Sequence, residues 1–227
     1  MVRNIRINIF NVSVILICIG IVMIYSVSSI YAWERYKDSF FFLKRHVIFL
    51  LIGMVLGFLA MAINYKKLKE IAKPLLLFSI FLLVVVLIPG LGREVSGARR
   101  WFRFKFLSFQ PSELANLAVI IYIADFVVRK KEALRSFLFG FMPAMASLGV
   151  VVLLILMQPD LGTTVALGIV VFIMLFVAGI HPAHLLSVIL AGLPVLYVLI
   201  FNVPYRRMRI MAFLNPWADP KGSGFQI

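Results

Sequence analysis

The chain has 227 residues, of which 63% are hydrophobic, with a mean hydropathy of +1.06 and a formal net charge of +14. So much apolar surface excludes an ordinary soluble domain, and continuous rather than alternating apolar runs exclude a β-barrel. One cysteine, Cys18, in an apolar run excludes a disulfide framework or a cysteine-built zinc site.

Several runs approach the roughly 20 residues that cross a bilayer as helix. The fold class is therefore all-α, a polytopic transmembrane helix bundle of about seven spans. Arg3 and Arg6 precede the first apolar run, 9–31. It is too long for a signal-peptide core and lacks a clear small-residue cleavage site, so it reads as a retained helix. A charged loop, 31–45, leads to a second span at 46–63. A short loop with Lys66, Lys67, Lys69 and Lys73 follows. The third span is expected at 74–88 and opens on Pro74, a residue suited to a first helical turn.

Pro89-Gly90-Leu91-Gly92 breaks the pattern, and the loop 89–109 carries Arg93, Arg99, Arg100, Arg103 and Lys105 against Glu94 alone. The fourth span, 110–128, opens on Gln110-Pro111-Ser112-Glu113, where Ser112 and Glu113 suit a helix N-terminus. Gln110 and Glu113 share a face if the helix includes both, and Asp125 and Arg129, four apart, read as a helix-end ion pair. Arg129, Lys130, Lys131 and Arg135 mark the next loop, and the fifth span is 137–157. The sixth, 162–180, ends at the turn His181-Pro182-Ala183-His184, and the seventh runs over 184–201. Two histidines without further ligands do not make a metal site. The remainder, 202–227, is polar, rich in turn residues and reads as a loop.

Between the fifth and sixth spans lies a polar island, Gln158-Pro159-Asp160-Leu161-Gly162-Thr163-Thr164. Polar and ionisable groups at membrane depth are costly and point to function. Pro159 cannot extend the upstream helix, Gly162 frees the backbone, and Asp160 can cap a helix starting near Leu161. Two readings stay open: a satisfied N-cap in a tight turn, and a polar site near one membrane face.

If the N-terminus is cytoplasmic, the inner segments hold 10 Lys and Arg and the outer segments 31–45, 89–109 and 202–227 hold 13. The positive-inside rule does not settle orientation. Outer basic residues that do not serve topology suit an anion, phosphate above all, or ordinary attraction to anionic headgroups.

The sequence Gly97-Ala98-Arg99-Arg100-Trp101, then Gln110-Pro111-Ser112-Glu113-Leu114, Gln158-Pro159-Asp160-Leu161-Gly162-Thr163, Pro204-Tyr205-Arg206 and the stretch from Asn215-Pro216-Trp217 to Gln226 together resemble the SEDS family (shape, elongation, division and sporulation). The order and spacing agree across essentially the whole chain, and the Asn-Pro-Trp wording is nearer the division branch than the elongation branch. Two positions depart from the family pattern: Asn116 stands where Lys is usual, and Lys105 where Gly is frequent.

The resemblance implies a single membrane domain, multi-pass in the bacterial inner membrane with a cytoplasmic N-terminus, that polymerises lipid II into glycan strands on the outer face. It implies as partners a class B penicillin-binding protein, other divisome or elongasome proteins and the membrane, with no nucleic acid. It also implies that the chain is an N-terminal fragment whose catalytic aspartate lies beyond Ile227, so that neither Asp160 nor Asp219 takes that role. The candidate substrate-binding residues are Arg99, Arg100, Trp101, Arg103, Gln110, Ser112, Glu113, Gln158, Asp160, Thr163 and Arg206. For the arginines the alternative is a solvated loop, for Trp101 and Trp217 interfacial anchoring, and for Glu113 a favourable charge at a helix start. No resident cofactor is expected; a divalent cation would suit the departing pyrophosphate. The rival functions are a lipid II flippase, which intramembrane polar groups and helix-breaking prolines would serve equally, and a non-catalytic scaffold for a partner synthase.

Overall fold

The computed structural model describes residues 2–95, 98–103, 108–215 and 217. The chain divides into two compact units, Met1–Lys67 and Leu68–Ile227.

The first unit is a helical hairpin of α1 (Val2–Tyr36) and α2 (Phe41–Ala62), followed by one 3-10 turn at Tyr65–Lys67. α2 buries no residue, and apolar side chains are exposed all round both helices. A helix that is apolar on every side and unburied has lipid for its solvent. Both helices reach further than the sequence suggests, and the loop expected at 31–45 shrinks to residues 37–40. Glu34, Arg35, Lys44 and Arg45 stay helical because long charged side chains leave an apolar boundary without breaking the backbone. Lys37 closes α1 in the left-handed region (φ 56), and its N–H donates to the Trp33 carbonyl at 3.0 Å. The Asp38 carboxylate accepts from Phe40 N (3.0 Å) and Lys44 Nζ (2.8 Å). The Lys44 hydrogen bond, then the Phe40 one, holds its pKa below the ordinary carboxylate value. Its contribution to the turn is thus present above that ordinary value and is lost as pH falls through the depressed one.

The second unit contains α3 (Leu68–Leu87), β1 (Arg93–Val95), β2 (Ala98–Arg103), β3 (Ser108–Phe109), α4 (Pro111–Arg129), α5 (Met142–Met157), α6 (Leu161–Val177), α7 (Pro182–Phe201) and α8 (Pro204–Leu214). The core follows helical stripes: Ala72, Leu76, Ser79, Leu83 and Val86 on α3, Ala115, Val119, Ile123 and Phe126 on α4, Leu167, Val171 and Leu175 on α6. Spacings of three and four residues put each set on one face. α3 packs along α4, and α5 and α6 close over them.

Six described helices are long and apolar enough to cross a membrane, and α6, at 17 residues, is a shorter apolar helix. It stops short of the expected residue 180 because Gly179 (φ 88) ends it. Gly179 N donates to Phe176 O (3.1 Å) and Ile180 N to Leu175 O (3.2 Å), while Ile180 and Leu175 are both buried. This is a Schellman cap with its hydrophobic contact, a conformation only glycine adopts without cost.

Three further sequence expectations are corrected. Pro74 is not a first-turn residue but lies inside α3, because Leu68 to Lys73 are themselves good helix formers and carry the helix back toward the 3-10 turn. The loop 89–109 contains an antiparallel sheet in the order β1-β2-β3, pairing Glu94 with Arg99 and Phe102 with Phe109. The segment after residue 201 contains α8, with Pro204 in its first turn and Asn215 as its C-cap. Those turn residues delimit a helix instead of excluding one.

Before α5 a single π turn, Phe137–Phe141, stacks on the Lys131–Ala133 3-10 turn. The Ser136 carbonyl accepts from both Gly140 N and Phe141 N at 3.1 Å. A Cβ on Gly140 would overlap the Ala133 carbonyl oxygen and come within 2.7 Å of Leu134 Cα, whereas one on Gly149, in α5, meets nothing within 4 Å. Gly140→Ala should cost about 2 kcal/mol or more, and Gly149→Ala should be neutral or stabilising by up to about 1 kcal/mol. Unfolding of the two purified variants in detergent checks this, and equal losses would refute the close approach at Gly140.

Candidate functional site

The polar island forms a corner at which α5 stops and α6 starts. The last carbonyls of a helix and the first N–H groups of the next have no helical partners. Here they are supplied by opposite charges. Arg100, from β2, donates through Nε to the Gln158 carbonyl and through Nη2 to the Pro159 carbonyl, both at 2.7 Å. Asp160 is the N-cap of α6: its Oδ1 accepts from Thr163 N at 3.2 Å. The Thr164 hydroxyl donates to the Asp160 carbonyl at 2.7 Å. A cation at a helix C-terminus and an anion at a helix N-terminus each gain from the helix dipole.

The two charges also approach one another, with Arg100 Nη1 3.9 Å from Asp160 Oδ2. Their side chains are 31% and 13% exposed, so this contact is partly screened and weaker than the shorter bonds to carbonyls. Gln110, the N-cap of α4, joins the corner to a second helix start: its Nε2 donates to Asp160 Oδ2 (3.2 Å) and to Ser112 Oγ (2.8 Å). Ser112 is fully buried. Gln158 is 1% exposed, and its Nε2 makes a long contact of 3.5 Å to the Leu83 carbonyl on α3. The amide oxygens of Gln158 and Asn116 are buried with no donor among the described residues.

Six sequence candidates therefore meet here: Arg100, Gln110, Ser112, Gln158, Asp160 and Thr163. Others do not join. Arg100 is the extra residue of a β-bulge, opposite neither Arg93 nor Glu94, while its half-buried neighbours Arg99 and Trp101 keep their places in the register. Gln110 precedes α4 instead of lying in it, so it shares no helix face with Glu113, which is exposed. Arg206 donates to the Leu199 carbonyl at 2.8 Å and closes the α7–α8 corner. The side chain of Arg103, and Lys105 and Asp219 entirely, lie outside the described residues. The site also uses groups the sequence does not mark: the carbonyls of Leu83, Gln158 and Pro159. A carbonyl leaves no trace in a residue pattern. Thr164 does, since it lies within the polar island. Among the described residues no three of His, Cys, Asp and Glu gather as metal ligands.

The cell cycle protein family FtsW/RodA/SpoVE matches the chain over residues 6–227. The chain belongs to this family. It is 46% identical over 215 residues to the probable peptidoglycan glycosyltransferase FtsW of Geobacter sulfurreducens, covering 95% of this chain and 58% of that protein. It is 42% identical over 217 residues to the stage V sporulation protein E of Bacillus subtilis, covering 95% and 59%. A chain of a solved peptidoglycan synthase complex that coordinates polymerization and crosslinking superposes with a TM-score of 0.68 at 31% identity, over 91% of this chain and 60% of that one. The chain thus spans somewhat under two thirds of the length of these FtsW/RodA/SpoVE relatives.

The corner makes a quantitative prediction. Arg100→Met should cost about 2 kcal/mol, the worth of charge-assisted hydrogen bonds to carbonyls. Asp160→Ala should cost about 1 kcal/mol and Asp160→Asn less, because asparagine also caps. The coupling between Arg100 and Asp160 in a double-mutant cycle should stay below about 1 kcal/mol. A larger coupling, read from the unfolding of purified variants, would mean that the ion pair and not helix capping holds the corner.

Proposed function

We propose that this chain belongs to a peptidoglycan glycosyltransferase that polymerises lipid II during division or elongation of the cell wall, paired with a class B penicillin-binding protein in the bacterial inner membrane, its N-terminus cytoplasmic. The observation that carries this reading is the Arg100–Asp160–Gln110 corner, a fixed polar cluster at the rim of an apolar helical unit. A lipid-linked disaccharide needs both environments at once, oily flanks for the polyprenyl chain and hydrogen-bonding groups for sugar and diphosphate.

In the reaction, a hydroxyl oxygen of one lipid-linked disaccharide bonds to the anomeric carbon of a lipid-linked glycan. The bond from that carbon to the diphosphate oxygen breaks, and the lipid diphosphate leaves with the electron pair. A base takes the hydroxyl proton, and positive charge stabilises the departing diphosphate. Asp160 is poorly suited to be that base, since Oδ1 holds Thr163 N while Oδ2 accepts from Gln110 beside Arg100. It acts instead as a positioning residue. Arg100 is anchored to two carbonyls, so it orients the corner and contributes field; a divalent cation accompanying the substrate would complete the charge.

The test is glycan-strand formation from lipid II by the purified protein with its partner, resolved on gels. Arg100→Glu should lower polymer yield at least about tenfold, and unchanged yield would remove the corner from catalysis. Labelled lipid II crossing vesicles with no polymer formed would replace the reading with transport. Partner binding with neither activity would replace it with a scaffold.

A further inference from the structure

The Arg100–Asp160 corner lies where α3 ends and α4 begins. At the opposite end of the same pair, where α3 begins and α4 ends, a second cleft opens. Its volume is about 480 Å³, and it is lined by Lys69, Glu70, Lys73 and Pro74 from α3 and by Asp125 and Arg129 from α4. That is the size of a small-molecule site, for which about 300–1,000 Å³ is usual.

Lys69 and Lys73 are one helical turn apart, so their ammonium groups share a face. Both are exposed, and neither has an ion pair or hydrogen bond to another described residue. Arg129 Nε bonds to Asp125 Oδ2 at 2.6 Å. That contact neutralises Asp125 and leaves both Nη groups without a partner among the described residues. Pro74 has no N–H, so the Glu70 carbonyl lacks its usual donor from the next turn. Three cations thus face two carboxylates, one already engaged, and the cleft holds uncompensated positive charge.

The setting narrows the ligand. The candidate spans Tyr65–Leu87 and Pro111–Arg129 both have an end at this cleft, which places it at headgroup depth. Ile71, Leu77 and Val128 beside it are exposed apolar residues, suited to acyl chains. We infer that this cleft binds the headgroup of an anionic membrane phospholipid. The phosphodiester sits among Lys69, Lys73 and the free edge of the Arg129 guanidinium, and Glu70 accepts from a headgroup hydroxyl such as that of glycerol. The same carboxylate disfavours a bare, more highly charged inorganic phosphate. A diffuse basic surface would make no such distinction, and one is present at the same end in Lys130, Lys131 and Arg135, all exposed.

The intact purified protein, equilibrated with vesicles of equal phosphatidylglycerol and phosphatidylcholine, is examined for retained lipid by native mass spectrometry. Phosphatidylglycerol should be retained preferentially, and Lys69→Gln with Lys73→Gln should lower its retention roughly 10- to 30-fold. Lys130→Gln with Lys131→Gln removes the same charge outside the cleft and should change retention by less than about twofold. In the unaltered protein a photoactivatable phosphatidylglycerol should label the Lys69–Pro74 peptide. Equal losses in the two double variants, labelling confined to 130–135, no preference between the lipids, or displacement by millimolar inorganic phosphate would each overturn the site.

Discussion

Where α5 gives way to α6, carbonyls without donors meet N–H groups without acceptors, and much of the rest of the second unit depends on how that mismatch is resolved. In water the solvent would satisfy them. Among apolar helices each unpaired group costs about 1–3 kcal/mol. Arg100 takes two carbonyls, and Asp160 takes the Thr163 N–H while its second oxygen accepts from Gln110. Because Arg100 comes from β2 and Gln110 from the start of α4, the same bonds tie the three-stranded sheet and the α4 N-terminus to the corner. A local capping problem thereby becomes a tertiary constraint linking four elements.

Several hydroxyls of the helices follow a simpler rule. Ser79 donates to Leu76 O, Ser147 to Ala144 O and Thr164 to Asp160 O, each within its own helix turn. Such hydroxyls need no partner from elsewhere and are tolerated in lipid-facing bundles. Gln158 and Asn116 differ: each keeps a buried amide oxygen that no described residue reaches. Asn116 lies one turn along α4 from Ser112, so the unsatisfied groups extend the polar corner inward along the α4 face.

The helices were legible because apolar runs of spanning length have few other solutions, and the polar island stood out because Gln158, Asp160, Thr163 and Thr164 interrupt such runs. The boundaries were less legible. Pro74 suits a helix start, yet Leu68 begins the helix, since propensity over several residues outweighs one tolerated proline. The sheet at 93–109 leaves no sequence signal because strands of two to six residues carry no lasting alternation. α8 is hard to see in the sequence because a helix with Arg206, Arg207 and Arg209 resembles a polar loop in composition. Within the site, the residue types could be listed in advance but the pairing could not. Arg99 and Arg100 are equivalent in a string, and only the fold separates them: Arg99 stands opposite Glu94, whereas Arg100 is the bulged residue that reaches the corner.

That separation changes what the basic composition means. An excess of arginine at one membrane face suggests anion recognition, yet several arginines are already engaged by the protein. Arg100 closes α5, Arg206 takes the Leu199 carbonyl near the end of α7, and Arg129 pairs with Asp125 in the last turn of α4. Each meets an acceptor near a helix end, and Arg100 spreads two arms of its guanidinium over two carbonyls, a forked contact lysine cannot reproduce. The lysines at the α3–α4 cleft, Lys69 and Lys73, remain exposed and without such partners among the described residues. The net charge of +14 therefore overstates the charge free to act on a ligand. Arginine here holds helix ends together where water is scarce, and the charge left to meet lipid or substrate is that of side chains the fold has not already claimed.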